Sequence, residues 1–249
     1  MSLSRPIALT ISGLDPSAGA GMLADIKTFE NLKCYGLGVC SANTIQNEKQ
    51  FTACFWTPKE HILKQLDTVL SNYSIEYIKI GIIEDWNYLL EIIQCIKAQN
   101  KAVKIILDPV IQSSTGFYFH ENERIMIDIL KHLYLITPNY KEIQQFFPDQ
   151  SILESIQILQ SQCNVLLKGG HRESQKGLDE LFLTNGNVIQ YTSQQLSKYE
   201  KHGSGCVFSS AITAYLALGN SLVVACQKAK LYIEQFLNSN PTLLGYHTL

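Results

Sequence analysis

A three-layer α/β/α sandwich around a mostly parallel central sheet is the fold class this sequence predicts. Short β-branched runs alternate with amphipathic, helix-length segments along the chain. Glycine and polar residues collect where the apolar runs end. No repeat, low-complexity tract or Pro-, Gly- or Ser-rich linker interrupts this pattern, so residues 1–249 are expected to form a single domain.

The elements follow in order. "IALTISG" (7–13) reads as a buried strand ended by glycine. "GMLADIKTFENLKCYG" follows as a helix, with Met22, Ile26, Phe29 and Leu32 on one stripe. "LGVCSANTIQ" and "FTACFW" are strand-like, and "KEHILKQLDTVLSNY" puts Ile62, Leu66, Val69 and Tyr73 at helical spacing. Strand 77–83, helix 86–99 and strand 103–110 come next, then helix 123–133, strand 135–137 and a helix from about Tyr140. A helix near 154–162 leads to strand "NVLLKGG", and "LFLTNGNVIQY" carries Asn-Gly between two apolar runs, a hairpin signal. The last two helices are 206–218 and about 221–239, the second with Leu222, Cys226, Ala229, Ile233 and Phe236 inward.

Composition removes several classes of function. Hydrophobic residues make up 46% and charged ones 17%, which excludes a disordered chain. A net charge of −2, with lysines and arginines scattered, gives no general attraction to nucleic acid. Seven cysteines, odd in number and without CxxC or Cys/His pairing, argue against structural zinc and a disulfide framework. Reduced thiols fit a cytoplasmic protein. The N-terminal apolar run meets an aspartate too soon for a membrane span or a good signal peptide, so no membrane partner is expected.

In open parallel sheets ligands gather at the carboxyl ends of the strands. Six segments belong there: "SGLDPSAGAG", "KIGII", "DPVIQSSTG", "TPNYKE", "LKGGH" and the Gly-Ser-Gly-Cys loop. In "HGSGCVFSSAITAYLALG", glycines let backbone N–H groups converge and a helix start adds its positive end, which suits a phosphate. Cys206 would lie at or beside that helix start, where a thiol pKa falls and a thiolate can take a proton from a hydroxyl. A buried cysteine after a turn is the plainer alternative. Asn139 and Glu142 could order a hydrated Mg²⁺ or simply cap a helix. Lys168 could meet nucleotide phosphates or be a surface lysine before a turn, and His171 carries little weight alone. Asp25 could hold a polar substrate, while Asn43 and Gln46 could read a heterocycle through paired donors and acceptors. No G-x-x-x-x-G-K-[ST] occurs, and the G-x-G-x-x-G spacing is missing.

Together, "ALTISGLDPSAGAGMLADIKTF", "ANTIQN", "KIGII", "LDPVIQSSTG", "LITPNYKE", "LLKGGH" and "HGSGCVFSSAITAYLALG" resemble the hydroxymethylpyrimidine/phosphomethylpyrimidine kinases of the ribokinase-like superfamily, over about residues 7 to 235. Cys206, where most ribokinase relatives carry aspartate, points to this branch or its pyridoxal-kinase neighbours. The resemblance implies a ribokinase-like fold, an ATP- and Mg²⁺-dependent enzyme of thiamine biosynthesis, and a homodimer. It implies phosphorylation of 4-amino-5-hydroxymethyl-2-methylpyrimidine and then of its monophosphate. Position by position, Gly13, Asp25, Gln46, Ile82 and Val110 match the pyrimidine site. Gly203, Gly205 and Cys206 match the anion hole and base, Asp108 and Lys168 match the Asp-Pro-Val and Lys-Gly-Gly-His elements, and with Ser204 these two are the expected nucleotide- and phosphate-binding residues. Asn139 and Glu142 match the Asn-x-x-Glu element associated with Mg²⁺ and phosphate.

The chain departs from the family pattern at Ile82 (usually methionine), Ser204 (threonine), Ala18 (glycine), Ser114 (lysine in some members), and Glu200 and Lys201 (Asn-Thr). It also ends without the fuller glycine-rich tail. The rival expectations are a pyridoxal kinase and a non-catalytic pyrimidine-binding homologue.

Overall fold

The computed structural model describes residues 5–111, 125–170, 177–195 and 197–248. The chain runs β1 (Ile7–Leu14), α1 (Gly21–Asn31), β2 (Tyr35–Gln46), β3 (Phe51–Trp56), α2 (Lys59–Leu70), β4 (Tyr77–Ile80), α3 (Trp86–Gln99) and β5 (Lys104–Leu107). It continues α4 (Met126–Leu130), β6 (Leu135–Ile136), α5 (Tyr140–Phe146), α6 (Ile152–Gln160), β7 (Asn164–Leu167), β8 (Asp179–Phe182), β9 (Val188–Tyr191), α7 (Ser204–Ala217) and α8 (Leu222–Asn238). One nine-stranded sheet has the order β3-β2-β1-β4-β5-β6-β7-β8-β9. Strands β2 to β7 in that order pair in parallel, and the antiparallel pairings are β2–β3, β7–β8 and β8–β9. The predicted three-layer α/β/α class is the observed one.

The layers follow from strand alternation, since successive side chains point to opposite faces. Leu9, Ile11, Ile78, Ile80, Ile105, Leu107, Ile136, Val165 and Leu167 pack with buried residues of α2 to α6 in one core. Ala8, Tyr77, Ile106, Leu135 and Leu166 pack with residues of α1, α7 and α8 in the other. By the same alternation Thr10, Lys79, Asp108, Thr137 and Lys168 project toward the α1/α7 layer. That parity assembles a polar site at one end of an apolar sheet.

Helix α1 stops earlier than the periodicity predicts, and Tyr35 and Gly36 belong to β2 instead. Lys33 takes a left-handed φ of 65°. Its N–H donates to the Glu30 carbonyl (3.0 Å) and the Cys34 N–H to that of Phe29 (2.9 Å), closing a Schellman turn. The buried face of α1 is Ala24, Asp25, Thr28 and Phe29, with Met22 and Ile26 only half-buried. Helix α2 ends at Leu70, leaving Tyr73 exposed. The predicted hairpin is β8–β9, with Gly186 at φ 89° in its turn. Ser114, His171 and the start of the predicted helix 123–133 lie outside the described residues. No helix among the described residues is long and apolar enough to cross a membrane.

Candidate active site

The site is built on the start of α7. Gly203 is its N-cap at φ 71°, and a Cβ there would come within 2.1 Å of the Gly19 carbonyl oxygen. Only glycine permits both that conformation and that approach. The helix begins at Ser204, earlier than predicted, so Cys206 is its third residue. The first α-helical bond is that of the Val207 N–H to the Gly203 carbonyl (3.0 Å), which leaves the N–H groups of Gly205 and Cys206 outside the helical ladder. A Cβ at Gly205 would lie 3.4 Å from Lys168 Nζ and 3.9 Å from Asp108 Oδ2. The loop therefore opens onto an ammonium and a carboxylate.

That pair is the first of two charge clusters beneath the loop. Lys168 Nζ donates to Asp108 Oδ1 at 2.7 Å, and Thr137 and Ser209 hydroxyls donate to the same carboxylate at 3.4 and 3.2 Å. Burial pushes the Asp108 carboxyl up, but Lys168 and Lys79 outweigh it and hold the group below its ordinary range. Burial pulls Lys168 down, and Asp108 and Glu142 raise it above the usual lysine value. Lys168 retains 12% of its side-chain exposure, so it is a fixed cation with one open side.

The second cluster is closed. Lys79 and Asp25 are fully buried, with Nζ 2.8 Å from Oδ2. Thr10 donates to the same Oδ2 and Ser210 to Oδ1, both at 2.6 Å. Burial pulls Lys79 down, yet Asp25, Cys206 and Asp108 together raise it. Asp25, expected at the pyrimidine, instead faces three protein donors; its carboxylate holds Lys79 below the loop.

Cys206 is half-buried, and its thiol behaves opposite to the sequence expectation. Burial pushes it up to about 11; Lys79 draws it down, while Asp108 and Asp25 push it further up. The resting group is a thiol.

Asn139 and Glu142 form a capping box at the start of α5: the Asn139 side chain accepts from the Glu142 N–H (3.0 Å), and Glu142 accepts from the Asn139 N–H (2.7 Å). The cap and the chemical reading coexist here. Glu142 is buried, and burial raises its carboxyl to about 7, with Asp108 adding and Lys168 opposing. The Lys168 N–H donates to the Pro138 carbonyl (2.8 Å), which ties this helix start to the lysine.

The predicted heterocycle residues lie at or just after the carboxyl ends of strands β1, β2, β4 and β5. Gly13 pairs with Ala42, and a Cβ on Gly13 would meet Ile82 Cδ1 at 2.5 Å. Gln46 is half-buried on the β2 extension, and half-buried Val110 follows Asp108 by two residues. Gly13, Ile82 and Ala42 make one apolar wall; Gln46 ends β2 and Val110 follows the end of β5.

Several supports were missed in the sequence. Asp15 is fully buried; it accepts from His202 Nε2 (2.8 Å) and from the backbone N–H groups of Ser17 and Ala20 (both 2.9 Å), joining the loop after β1 to the residue before Gly203. Burial pushes its carboxyl up, but the His202 and Ser17 bonds hold it below the usual range. Lys201, one of the departures, is buried and donates to the carbonyls of Asn240 (2.5 Å) and Thr242 (2.6 Å). The His202 N–H donates to the Leu243 carbonyl (2.9 Å), so the segment around Leu243 is fastened directly beside the Gly203–Cys206 loop. Asp179 accepts from the Gly169 N–H (2.7 Å) and from Lys230 (2.8 Å), which fixes the backbone after Lys168. Ala18 takes a left-handed φ of 55°, the conformation glycine adopts without strain. Ala18→Gly is expected to raise stability by about 1 kcal/mol, read as a higher urea midpoint at unchanged slope.

The description of the matching family model is phosphomethylpyrimidine kinase, over residues 15–248. The hydroxymethylpyrimidine/phosphomethylpyrimidine kinase of Aquifex aeolicus is 30% identical, covering 98% of this chain and 99% of its own. The crystal structure of phosphomethylpyrimidine kinase from Clostridium difficile superposes with a TM-score of 0.78 at 33% identity, over 93% of this chain and 99% of that one. The pyridoxal kinase from Staphylococcus aureus, in complex with AMP-PCP and pyridoxal, gives a TM-score of 0.81 at 29% identity, over 95% and 89%. This agreement along the chain places it in the phosphomethylpyrimidine kinase family, as a phosphotransferase of ribokinase-like fold.

Proposed function

We propose that the chain transfers the γ-phosphoryl group of ATP to the hydroxymethyl oxygen of 4-amino-5-hydroxymethyl-2-methylpyrimidine, and a second one to the resulting monophosphate. The observation that carries this is the Gly203–Cys206 loop facing Lys168 across a gap that a Cβ at Gly205 would begin to fill. Backbone donors and a fixed ammonium aimed at one point suit the charge that develops on a transferring phosphoryl group. In this reading the N–H groups of Gly205 and Cys206 hold the phosphoryl oxygens, and Lys168 holds the bridging side of the nucleotide. Cys206 takes the hydroxyl proton on Sγ in its thiolate form, and the proton taken returns it to the thiol.

Mg²⁺ fits the donor set as a hydrated ion. No group of three or more His, Cys, Asp or Glu side chains among the described residues is arranged to hold a metal by itself. Mg²⁺ characteristically keeps waters and uses one or two carboxylates plus substrate phosphates. Asn139 and Glu142 would order that ion's waters, and its charge would offset that of the phosphates. Cytoplasmic reduced thiols and a homodimer complete the proposal.

The deciding assay follows ADP release and resolves mono- and diphosphate products over time, with the pyrimidine and with pyridoxal as acceptors. Sequential appearance of both pyrimidine phosphates supports the reading. Pyridoxal as the only acceptor supports the pyridoxal-kinase reading, while tight pyrimidine binding without ADP release supports a non-catalytic homologue.

A further inference from the structure

The end of β2 contains a hydrogen-bond chain whose direction can be derived. The Thr44 side chain is buried, and its Oγ1 lies 2.8 Å from the backbone carbonyl oxygen of Leu14. A carbonyl only accepts, so the Thr44 hydroxyl must donate its single proton there. The Gln46 amide approaches the same Oγ1 at 2.9 Å. With the hydroxyl proton committed, Oγ1 can only accept from it, which requires Nε2 rather than Oε1 at that contact. The Gln46 amide is thus locked in one of its two flips. Among the described residues, Oε1 takes no hydrogen bond and Nε2 retains a second N–H.

We propose that Thr44 is the specificity-determining residue of the acceptor site: it fixes Gln46 to present a carbonyl oxygen and one N–H to the substrate edge. The inference rests on the kinase reading above and on Gln46 meeting the heterocycle. Superposed on the hydroxymethyl group that receives phosphate, the two candidate acceptors differ at the neighbouring positions. The aminopyrimidine presents an amino donor and then a ring-nitrogen acceptor, which complements a carbonyl oxygen beside an N–H. Pyridoxal presents an aldehyde oxygen and then a phenolic oxygen, and the aldehyde oxygen opposes the locked carbonyl. A flipped amide would suit pyridoxal better, but the flip would set Oε1 against a hydroxyl oxygen that has no proton left. Thr44 touches Gln46 and Leu14, and so acts as a positioning residue.

The test compares kcat/KM for the pyrimidine and for pyridoxal in the wild type, Thr44→Val, Thr44→Cys and Thr44→Ser. Thr44→Val removes the lock, and the pyrimidine-to-pyridoxal ratio is expected to fall about tenfold, the worth of one oriented hydrogen bond. The loss is expected mainly in KM for the pyrimidine, with KM for ATP unchanged. Thr44→Ser keeps the hydroxyl and the ratio. Thr44→Cys, a weak hydrogen-bonding group of similar size, shifts the ratio the same way as valine and serves if the valine variant does not fold. An unchanged ratio in the valine or cysteine variant overturns the proposal, as does an equal shift in Thr44→Ser or an equal loss with both acceptors. A wild type that phosphorylates no pyrimidine at all instead overturns the function on which the inference rests.

Discussion

Cys206→Ala is expected to lower kcat by about 10²–10⁴-fold in an ATP-coupled assay, the usual cost of losing a positioned base. Cys206→Asp is expected to keep turnover and to change its pH dependence. Burial holds the wild-type thiol up at about 11, so the thiolate is the minor form at neutral pH. Its fraction grows about tenfold for each pH unit below that value. Wild-type kcat should therefore climb steeply between roughly pH 6 and 9, whereas an aspartate, already ionised there, should give a flatter profile. The sign follows from the direction of the shift: a raised thiol is protonated at low pH and becomes the base only as pH rises. Near-wild-type kcat in Cys206→Ala would show that the proton goes elsewhere, and a flat wild-type profile would remove the thiolate from the rate-limiting step.

How far this site was legible depends on which contacts are local. The short β-branched runs that revealed the strands also placed Asp108 and Lys168 at strand ends, and their 2.7 Å pairing across 60 residues follows once β5, β6 and β7 lie side by side. The Asn139/Glu142 pair was legible because a capping box is written in four residues. The Asp25–Lys79 pair was not, since its partners are 54 residues apart and each alone resembles an ordinary charged residue. One signal was present: "YIKI" sets a lysine inside an apolar strand run, and a lysine buried there needs an anion. The direction of the Cys206 shift was also beyond the sequence. A helix start argues for a lowered thiol, but burial and two nearby carboxylates act against it. Lys201, a departure from the family pattern, became intelligible only when the tail appeared against it.

Lys79→Met is expected to destabilise the fold by about 3–5 kcal/mol, because removing one partner of a buried ion pair leaves the other charge uncompensated. Lys79 and Asp25 are both fully buried at 2.8 Å, so solvent cannot replace the lost ammonium. The double variant Lys79→Met/Asp25→Asn should recover much of that loss in urea denaturation. An asparagine there carries no charge; its carbonyl oxygen can accept from one of the Thr10 and Ser210 hydroxyls while its amide N–H donates to the other. Activity should not recover with stability. Lys79 is the cation that draws the Cys206 thiol down against its burial, and without it the base becomes scarcer at any given pH. A folded double variant with kcat reduced and KM for ATP unchanged would separate the electrostatic role of Lys79 from its structural one. A double variant with wild-type kcat would confine the pair to holding α1 against the sheet. No recovery of stability would mean that the network needs the charge itself, not only a satisfied acceptor.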